Sequence, residues 1–116
     1  MTKTYSLPDV SGNSRVYAEY VIDNKSYYFI FDVRETSLYV SVFLDSEYSE
    51  PVLEGYALTV GIDLFARVKN RNICNGKFVL EPLYHSETIL FPENLSKNFC
   101  FVYYKSDDEN IIEEDL

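Results

Sequence analysis

The first half of the chain alternates apolar and polar residues with the two-residue period of a β-strand. Three segments carry this pattern, at residues 15–22, 27–33 and 38–44. Turn residues separate them, among them Asn24, which tolerates a left-handed backbone better than most residues do. Three alternating segments joined by short turns predict an antiparallel meander in the N-terminal half of the fold.

The second half of the chain has a less regular pattern, but it also predicts strands. Residues 52–60 fit one or two short strands with a bend at Gly55, and residues 77–83 and 99–105 fit two more. The sequence therefore predicts an all-β domain over residues 1–105, a small antiparallel barrel or sandwich of about six to eight strands.

Three segments between these strands carry weaker signals. Residues 64–68 fit a helical turn or a strand equally well. The pair Asn75 and Gly76 predicts a hairpin turn, because both residues tolerate a positive φ. Residues 85–97, which include Pro92, predict a loop.

The composition supports a β-rich fold and adds an unusual aromatic content. Aromatic residues make up 16% of the 116 residues, from 11 Tyr and 8 Phe with no Trp. These residues, together with Val and Ile, favour strands over helices. Hydrophobic residues make up 47% and charged residues 25%, which is typical of a globular domain and excludes disordered, coiled-coil and collagen-like chains.

Several predicted strands carry large apolar side chains on both faces. Residues 99–104 contain no charged side chain, whereas an antiparallel sheet usually presents one polar face to water. Two explanations remain open and are compatible: the second face is covered within the chain, or a partner subunit covers it. The candidate apolar anchors for a partner are Tyr17, Tyr28, Tyr39 and Phe43. The candidate polar contacts are Arg67, Lys69 and Arg71, which would share one face if they lie on a strand.

The charge is concentrated at the C-terminal end. The net charge is −9, and six of the 19 acidic residues lie within residues 106–116. Residues 1–105 carry the other 13 acids and all 10 bases, so this part of the chain is only mildly acidic. We expect residues 106–116 to form a disordered acidic tail. An acidic balance argues against direct binding of nucleic acid and against anionic membrane surfaces.

Candidate chemistry is sparse. The single histidine, His85, and the thiol of Cys74 are the only candidates for a nucleophile and its base, and no oxyanion site is evident near them. Two cysteines and one histidine without paired spacing do not predict a zinc site, and no glycine-rich phosphate loop is present. The sequence predicts no cofactor and no enzymatic activity. Cys74 and Cys100 are expected to be free thiols in a reducing cytoplasm, and neither a signal peptide nor a membrane span is predicted.

The order of these segments resembles the phage baseplate plug family, small structural proteins of the baseplate hub in contractile phage tails. The most specific part is a proline, two apolar residues, an acid and a glycine at residues 51–55, followed by a glycine–apolar–polar–leucine turn at residues 61–64. The resemblance covers about residues 3 to 105, and its other segments are residues 5–8, 23–31, 38–42, 77–80 and 101–104.

The resemblance implies a structural role without catalytic residues. It implies partners among baseplate hub or tail-tube proteins, a homo-oligomer or a hetero-assembly, and a location in the virion tail after assembly in the host cytoplasm. The departures from the family are Cys74, the long loop before residue 97 and the acidic tail. The alternative hypothesis is a stand-alone cytoplasmic binding module for a carbohydrate or a peptide, which predicts a monomer with an aromatic-lined pocket.

Overall fold

The structure is a computed structural model, and it describes residues 2–68, 73–74, 76–83 and 90–105, with Arg67 described by its backbone alone. The predicted tail at residues 106–116 lies outside the described residues. The described part of the chain forms seven strands: β1 (Thr2–Tyr5), β2 (Arg15–Ile22), β3 (Lys25–Arg34), β4 (Ser37–Phe43), β5 (Pro51–Ala57), β6 (Lys77–Pro82) and β7 (Phe99–Tyr104). A short helix, α1 (Leu95–Asn98), precedes β7.

The strands form two antiparallel sheets that pack face to face. One sheet has the order β2-β3-β4-β5, which is the predicted meander extended by one strand. The other has the order β1-β7-β6, so that the first strand pairs with the last. This confirms the predicted all-β fold and selects the sandwich rather than the closed barrel.

The hairpin turns of the meander are set by backbone conformations that few residues adopt. Asp23 and Asn24 both have positive φ, at 52° and 64°, as in a type I′ turn. This turn type matches the right-handed twist of the two strands that it joins. In the next turn only the first central residue, Glu35, has a positive φ, at 59°, as in a type II′ turn. The pairing register is continuous from Arg15 opposite Asp32 to Ile22 opposite Lys25.

Aromatic rings from both sheets fill the core between them. The ring of Phe78 on β6 lies 4.5 Å from that of Phe101 on β7 and 5.8 Å from that of Phe29 on β3. Tyr20 of β2 stands edge-on to Phe29 at 5.0 Å. Phe29, Phe78 and Phe101 are fully buried. Burial of this much apolar surface is the main stabilising contribution to the sandwich.

Buried tyrosine hydroxyls connect the turns to the second sheet. The Tyr103 hydroxyl donates to Asp23 Oδ2 at 2.6 Å and accepts the Gly76 N–H at 3.1 Å. Lys105 Nζ lies 3.1 Å from Asp23 Oδ1. The hydrogen bond from Tyr103 and the ammonium of Lys105 hold the pKa of Asp23 below its ordinary value. The type I′ turn of the meander is therefore fixed to β7.

Two segments differ from their sequence-based descriptions, and a third matches one of its two predicted alternatives. Residues 2–5, for which no strand was predicted, form β1, and residues 95–98 form α1 within the predicted loop. Ala66–Val68 forms a 3₁₀ turn, which is the helical one of the two alternatives. The free side of β6 is bridged by Val60 and Asp63 rather than by a hairpin partner before residue 76. Asn75 lies outside the described residues.

Candidate functional site

The candidate site is the outer face of the four-stranded sheet, the face turned away from the core. The pairing registers place Tyr17 beside Ile30, Tyr28 beside Phe43, and Tyr39 beside Asp32. Side chains alternate along each strand, so all these residues lie on one face, opposite the buried Phe29 and Phe31. The structure thus brings the four predicted aromatic anchors onto a single surface.

Three of these anchors are joined by a tyrosine from the β4–β5 loop. The ring of Tyr48 lies 5.4 Å from the rings of both Tyr17 and Phe43, and 6.4 Å from the ring of Tyr28. The three contacts are edge-to-face, the arrangement that aromatic rings prefer. We call Tyr17, Tyr28, Phe43 and Tyr48 the aromatic cluster.

The loop that carries Tyr48 is held by one carboxylate. Asp45 accepts backbone hydrogen bonds from Ser49 and Glu50, both at 2.9 Å to Oδ1, and its Oδ2 accepts the Ser49 hydroxyl. These hydrogen bonds lower the pKa of Asp45. Tyr48 itself has a φ of 58°, an uncommon conformation for an aromatic residue. Sequence analysis missed Tyr48 because its neighbours are polar; a tyrosine in an otherwise polar hairpin loop was the available signal.

The cluster is partly exposed. Tyr17 is 53% exposed, whereas Phe43 beneath Tyr48 is only 7% exposed. Tyr28 is half-buried, as is Tyr39, which lies outside the cluster under the Arg34 guanidinium at 4.7 Å from the ring centroid. An arginine at this position forms a cation–π contact. Tyr17 is therefore the most exposed ring of the cluster, with the half-buried Tyr28 and Tyr48 beside it.

The predicted basic contacts are described only in part. Arg67 belongs to the 3₁₀ turn Ala66–Val68, so it does not lie on a strand as the predicted shared face required. Lys69 and Arg71 lie outside the described residues. The basic side chains that flank the outer face are instead Arg34 and Arg15, whose Nε lies 2.8 Å from Asp32 Oδ1.

A groove lies beside the end of β5. Its volume is about 450 Å³, and its lining includes Tyr56, Ile62 and Asp63. The Asp63 carboxylate already accepts the N–H groups of Phe65 and Phe78, at 3.1 and 3.0 Å. The groove therefore offers one ring and one carboxylate that is occupied in holding the fold, which is unlike a carbohydrate site with several convergent polar groups.

The thiols of the described residues are both buried. Burial raises the pKa of Cys100, which makes its thiolate scarce at neutral pH. The Cys74 N–H donates to the Tyr27 hydroxyl at 2.8 Å, so this segment is part of the core. Among the described residues no group of three potential metal ligands is close enough to hold an ion. His85 lies outside the described residues.

None of the helices in the described part of the chain has both the length and the apolar character that a membrane crossing requires.

These features define a small antiparallel β-sandwich with a filled aromatic core and a second aromatic surface on one sheet. A family model described as "Cyanophage baseplate Pam3 plug gp18" matches residues 6–108. The chain belongs to this family of baseplate plug proteins, which confirms the resemblance seen in the sequence. It is thus a structural protein of the phage baseplate, a family that associates with other baseplate proteins in the virion tail. A comparison with curated proteins gave no match.

Proposed function

We propose that this protein acts in the baseplate by packing alone, and that the aromatic cluster is its contact with a hub or tail-tube protein. It needs no cofactor and catalyses no reaction in this role. It is made in the host cytoplasm, binds neither nucleic acid nor membrane directly, and enters the tail as an assembled subunit.

The observation that carries the proposal is the position of the cluster relative to the core. The space between the two sheets is already filled by rings such as Phe29, Phe78 and Phe101. The aromatic cluster lies on the opposite face of the four-stranded sheet, with Tyr17 more than half exposed. Tyrosine and phenylalanine are enriched at the centres of protein interfaces, because they bury large areas at a small cost in side-chain entropy.

The edge-to-face contacts within the cluster support the same function. Because Tyr48 rests on Phe43 and contacts Tyr17 and Tyr28, the rings hold one another in place before any partner arrives. A preorganised surface loses less conformational entropy on binding than a flexible one. Partial burial raises the pKa of Tyr48 above its ordinary value.

Co-purification with the other baseplate proteins of the same phage tests the proposal. Two variants weaken the surface without touching the core: Tyr28→Ser and Tyr48→Asn, the latter because asparagine tolerates a positive φ. We expect each variant to fold, as judged by its circular dichroism, and to lose the partner, with affinity falling about tenfold or more as at an aromatic hot spot.

The matched control is Leu83→Ser, which removes an apolar side chain, 46% exposed, next to β6 of the other sheet. This variant should keep the partner. Equal retention of the partner by all three variants would contradict the proposed surface. Turnover of a small molecule by the purified protein would contradict the non-catalytic role.

A further inference from the structure

The free edge of β2 is the one strand edge in the described sheets that no proline, register shift, short length or bridging segment protects. β5 at the opposite edge of its sheet begins with Pro51, has register shifts against β4, and bends at Gly55 with φ 66°. β1 is only four residues long. The free side of β6 is bridged by Val60 and Asp63. Proline, bulges, short length and covering segments are the usual protections of an edge.

β2 differs from these edges in each respect. It is eight residues long, contains no Pro or Gly, and pairs with β3 without a register shift. Its outward residues Arg15, Tyr17 and Glu19 are exposed. A long, regular and exposed edge is a template for the addition of another strand.

The hydrogen-bonding pattern shows which groups of β2 face outward. The Val33 N–H donates to the Ser14 carbonyl at 2.9 Å, and in an antiparallel pair such bonds recur at every second residue. Even-numbered residues of β2 therefore bond to β3, and the odd-numbered Arg15, Tyr17 and Glu19 direct their N–H and C=O groups to the free edge. The Val21 carbonyl follows the same alternation, since it accepts the Tyr5 hydroxyl at 2.7 Å.

We propose that two copies of this chain pair antiparallel through β2, with the two-fold axis at Tyr17, so that the two four-stranded sheets become one continuous sheet. In this register each Tyr17 faces Tyr17 of the second copy, and each Arg15 faces Glu19 of the second copy. The free N–H and C=O groups of Arg15, Tyr17 and Glu19 then all gain partners.

Charge complementarity selects this register among the alternatives. Side chains alternate along the strand, so the outer faces of the two sheets form one surface only when odd-numbered residues of β2 pair with odd-numbered residues of the second copy. An axis at Glu19 would bring two carboxylates together, and an axis at Ala18 would place Arg15 opposite Val21. With the axis at Tyr17, opposite charges face each other on both sides, which is favourable across strands. Arg15 keeps donors for this contact beside its bond to Asp32.

The pairing would also place two aromatic clusters side by side on one surface, because Tyr17 belongs to the cluster and stands at the axis. This inference goes beyond the proposed function and does not depend on it. It is tested on the purified chain alone, whereas the contact with baseplate proteins is tested at Tyr28 and Tyr48, away from the edge.

Sedimentation of the purified chain over a range of concentrations gives the first test. We expect a monomer–dimer equilibrium that Glu19→Pro shifts at least about tenfold toward the monomer, because proline removes an N–H that bonds to nothing within the monomer. Glu19→Lys leaves the backbone intact and should also weaken the dimer, since it faces Arg15 with a second cation. A wild-type chain that stays monomeric throughout overturns the inference, as does a dimer that both variants leave unchanged.

Cross-linking tests the register. In the proposed dimer the two cysteines of the Tyr17→Cys variant face each other across the two-fold axis, with their Cα atoms about 5.5 Å apart. In Glu19→Cys the thiols lie about 13 Å apart along the strands. A short bifunctional thiol reagent should join the first variant and not the second, with the wild-type chain reporting any reaction of the buried Cys74 and Cys100. Efficient joining of Glu19→Cys, or none of Tyr17→Cys, contradicts the register.

Discussion

At the scale of single residues, Gly76 packs closely against β7 within the second sheet, and Tyr103 joins β7 to the β2–β3 turn of the meander. A Cβ atom built on Gly76 would lie 2.2 Å from the Tyr104 carbonyl oxygen and 2.6 Å from the Tyr103 ring. Only glycine lets the chain pass this close to β7. The sequence pair Asn75 and Gly76 suggested a turn, but a close approach to another strand has no local signal that a hairpin prediction can use.

Gly76→Ala should therefore destabilise the protein by about 3 kcal/mol, because the clashing atom is backbone and cannot rotate away. Gly12→Ala is the matched control: its φ is 76° and no atom lies within 4 Å of the added Cβ. It should cost about 1–2 kcal/mol, from the left-handed backbone alone. Urea denaturation measures both variants, and an equal or smaller loss for Gly76→Ala would contradict the close packing.

The Tyr103 hydroxyl makes the second of these contacts. Tyr103→Phe removes a hydrogen bond to the charged carboxylate of Asp23 and should cost about 1.5–3 kcal/mol of unfolding free energy. The control is Tyr104→Phe, which loses a hydrogen bond to Glu81 at a more exposed position and should cost less than about 1 kcal/mol. Equal stability of the Tyr103 variant and the wild type would mean that this hydroxyl does not fix the β2–β3 turn.

At the scale of elements, local sequence pattern predicted the meander well. The bounds of β2 agree with the predicted segment, and those of β3 and β4 differ from it by one or two residues at each end. The alternation of buried and exposed side chains is strong there because one face packs on the core. β1 escaped prediction because its side chains are mostly exposed and its strand conformation comes from pairing with β7, far away in sequence.

The β3–β4 turn offers a test of how turn conformation contributes to stability. Glu35 has a φ of 59° at the position where a type II′ turn favours glycine. Glu35→Gly should therefore stabilise the protein by about 0.5–1 kcal/mol, after the greater freedom of glycine in the unfolded chain is subtracted. Thr36→Gly, at the next residue with no positive φ, should destabilise it. Thermal unfolding of both variants checks the order, and a destabilised Glu35→Gly would rule out strain at this turn.

The candidate site shows the same division between local and non-local information. Alternation separated Tyr17, Tyr28, Tyr39 and Phe43 from the residues on the other face of their strands but did not decide which face is core. The structure puts these four residues on one surface, opposite the core. The sequence did not predict Tyr48, because a loop residue's position depends on how the loop folds back over the sheet. Nor did it predict that Phe43 is covered by Tyr48.

At the scale of the whole molecule, buried tyrosines make stability depend on pH in the alkaline range. Burial is the first cause that raises the pKa values of Tyr20, Tyr27 and Tyr103 well above the ordinary value of 10. Above pH 10 these phenols lose protons in the unfolded chain but keep them in the folded one. Their contribution is therefore fully present below pH 10 and is lost as the pH rises toward their folded pKa values.

We expect the contribution of these tyrosines to the unfolding free energy to stay constant up to about pH 10. Beyond that pH the unfolding free energy should fall steeply. Phenolate absorbance should show these side chains ionising together with unfolding. Tyr20→Phe should make the fall shallower by up to about 1.4 kcal/mol per pH unit. A Tyr20 variant with the same alkaline slope as the wild type would contradict protection by burial.

The pairing of β1 with β7 sets the order in which the two sheets can form on the ribosome. The meander joins neighbours in sequence, so its hairpins can close as soon as residues 15–57 have emerged. β1, although synthesised first, has no partner until residues 99–104 follow. The apolar inner face of the meander therefore stays uncovered until β6 and β7 have been synthesised. During this interval the nascent chain is most prone to aggregate.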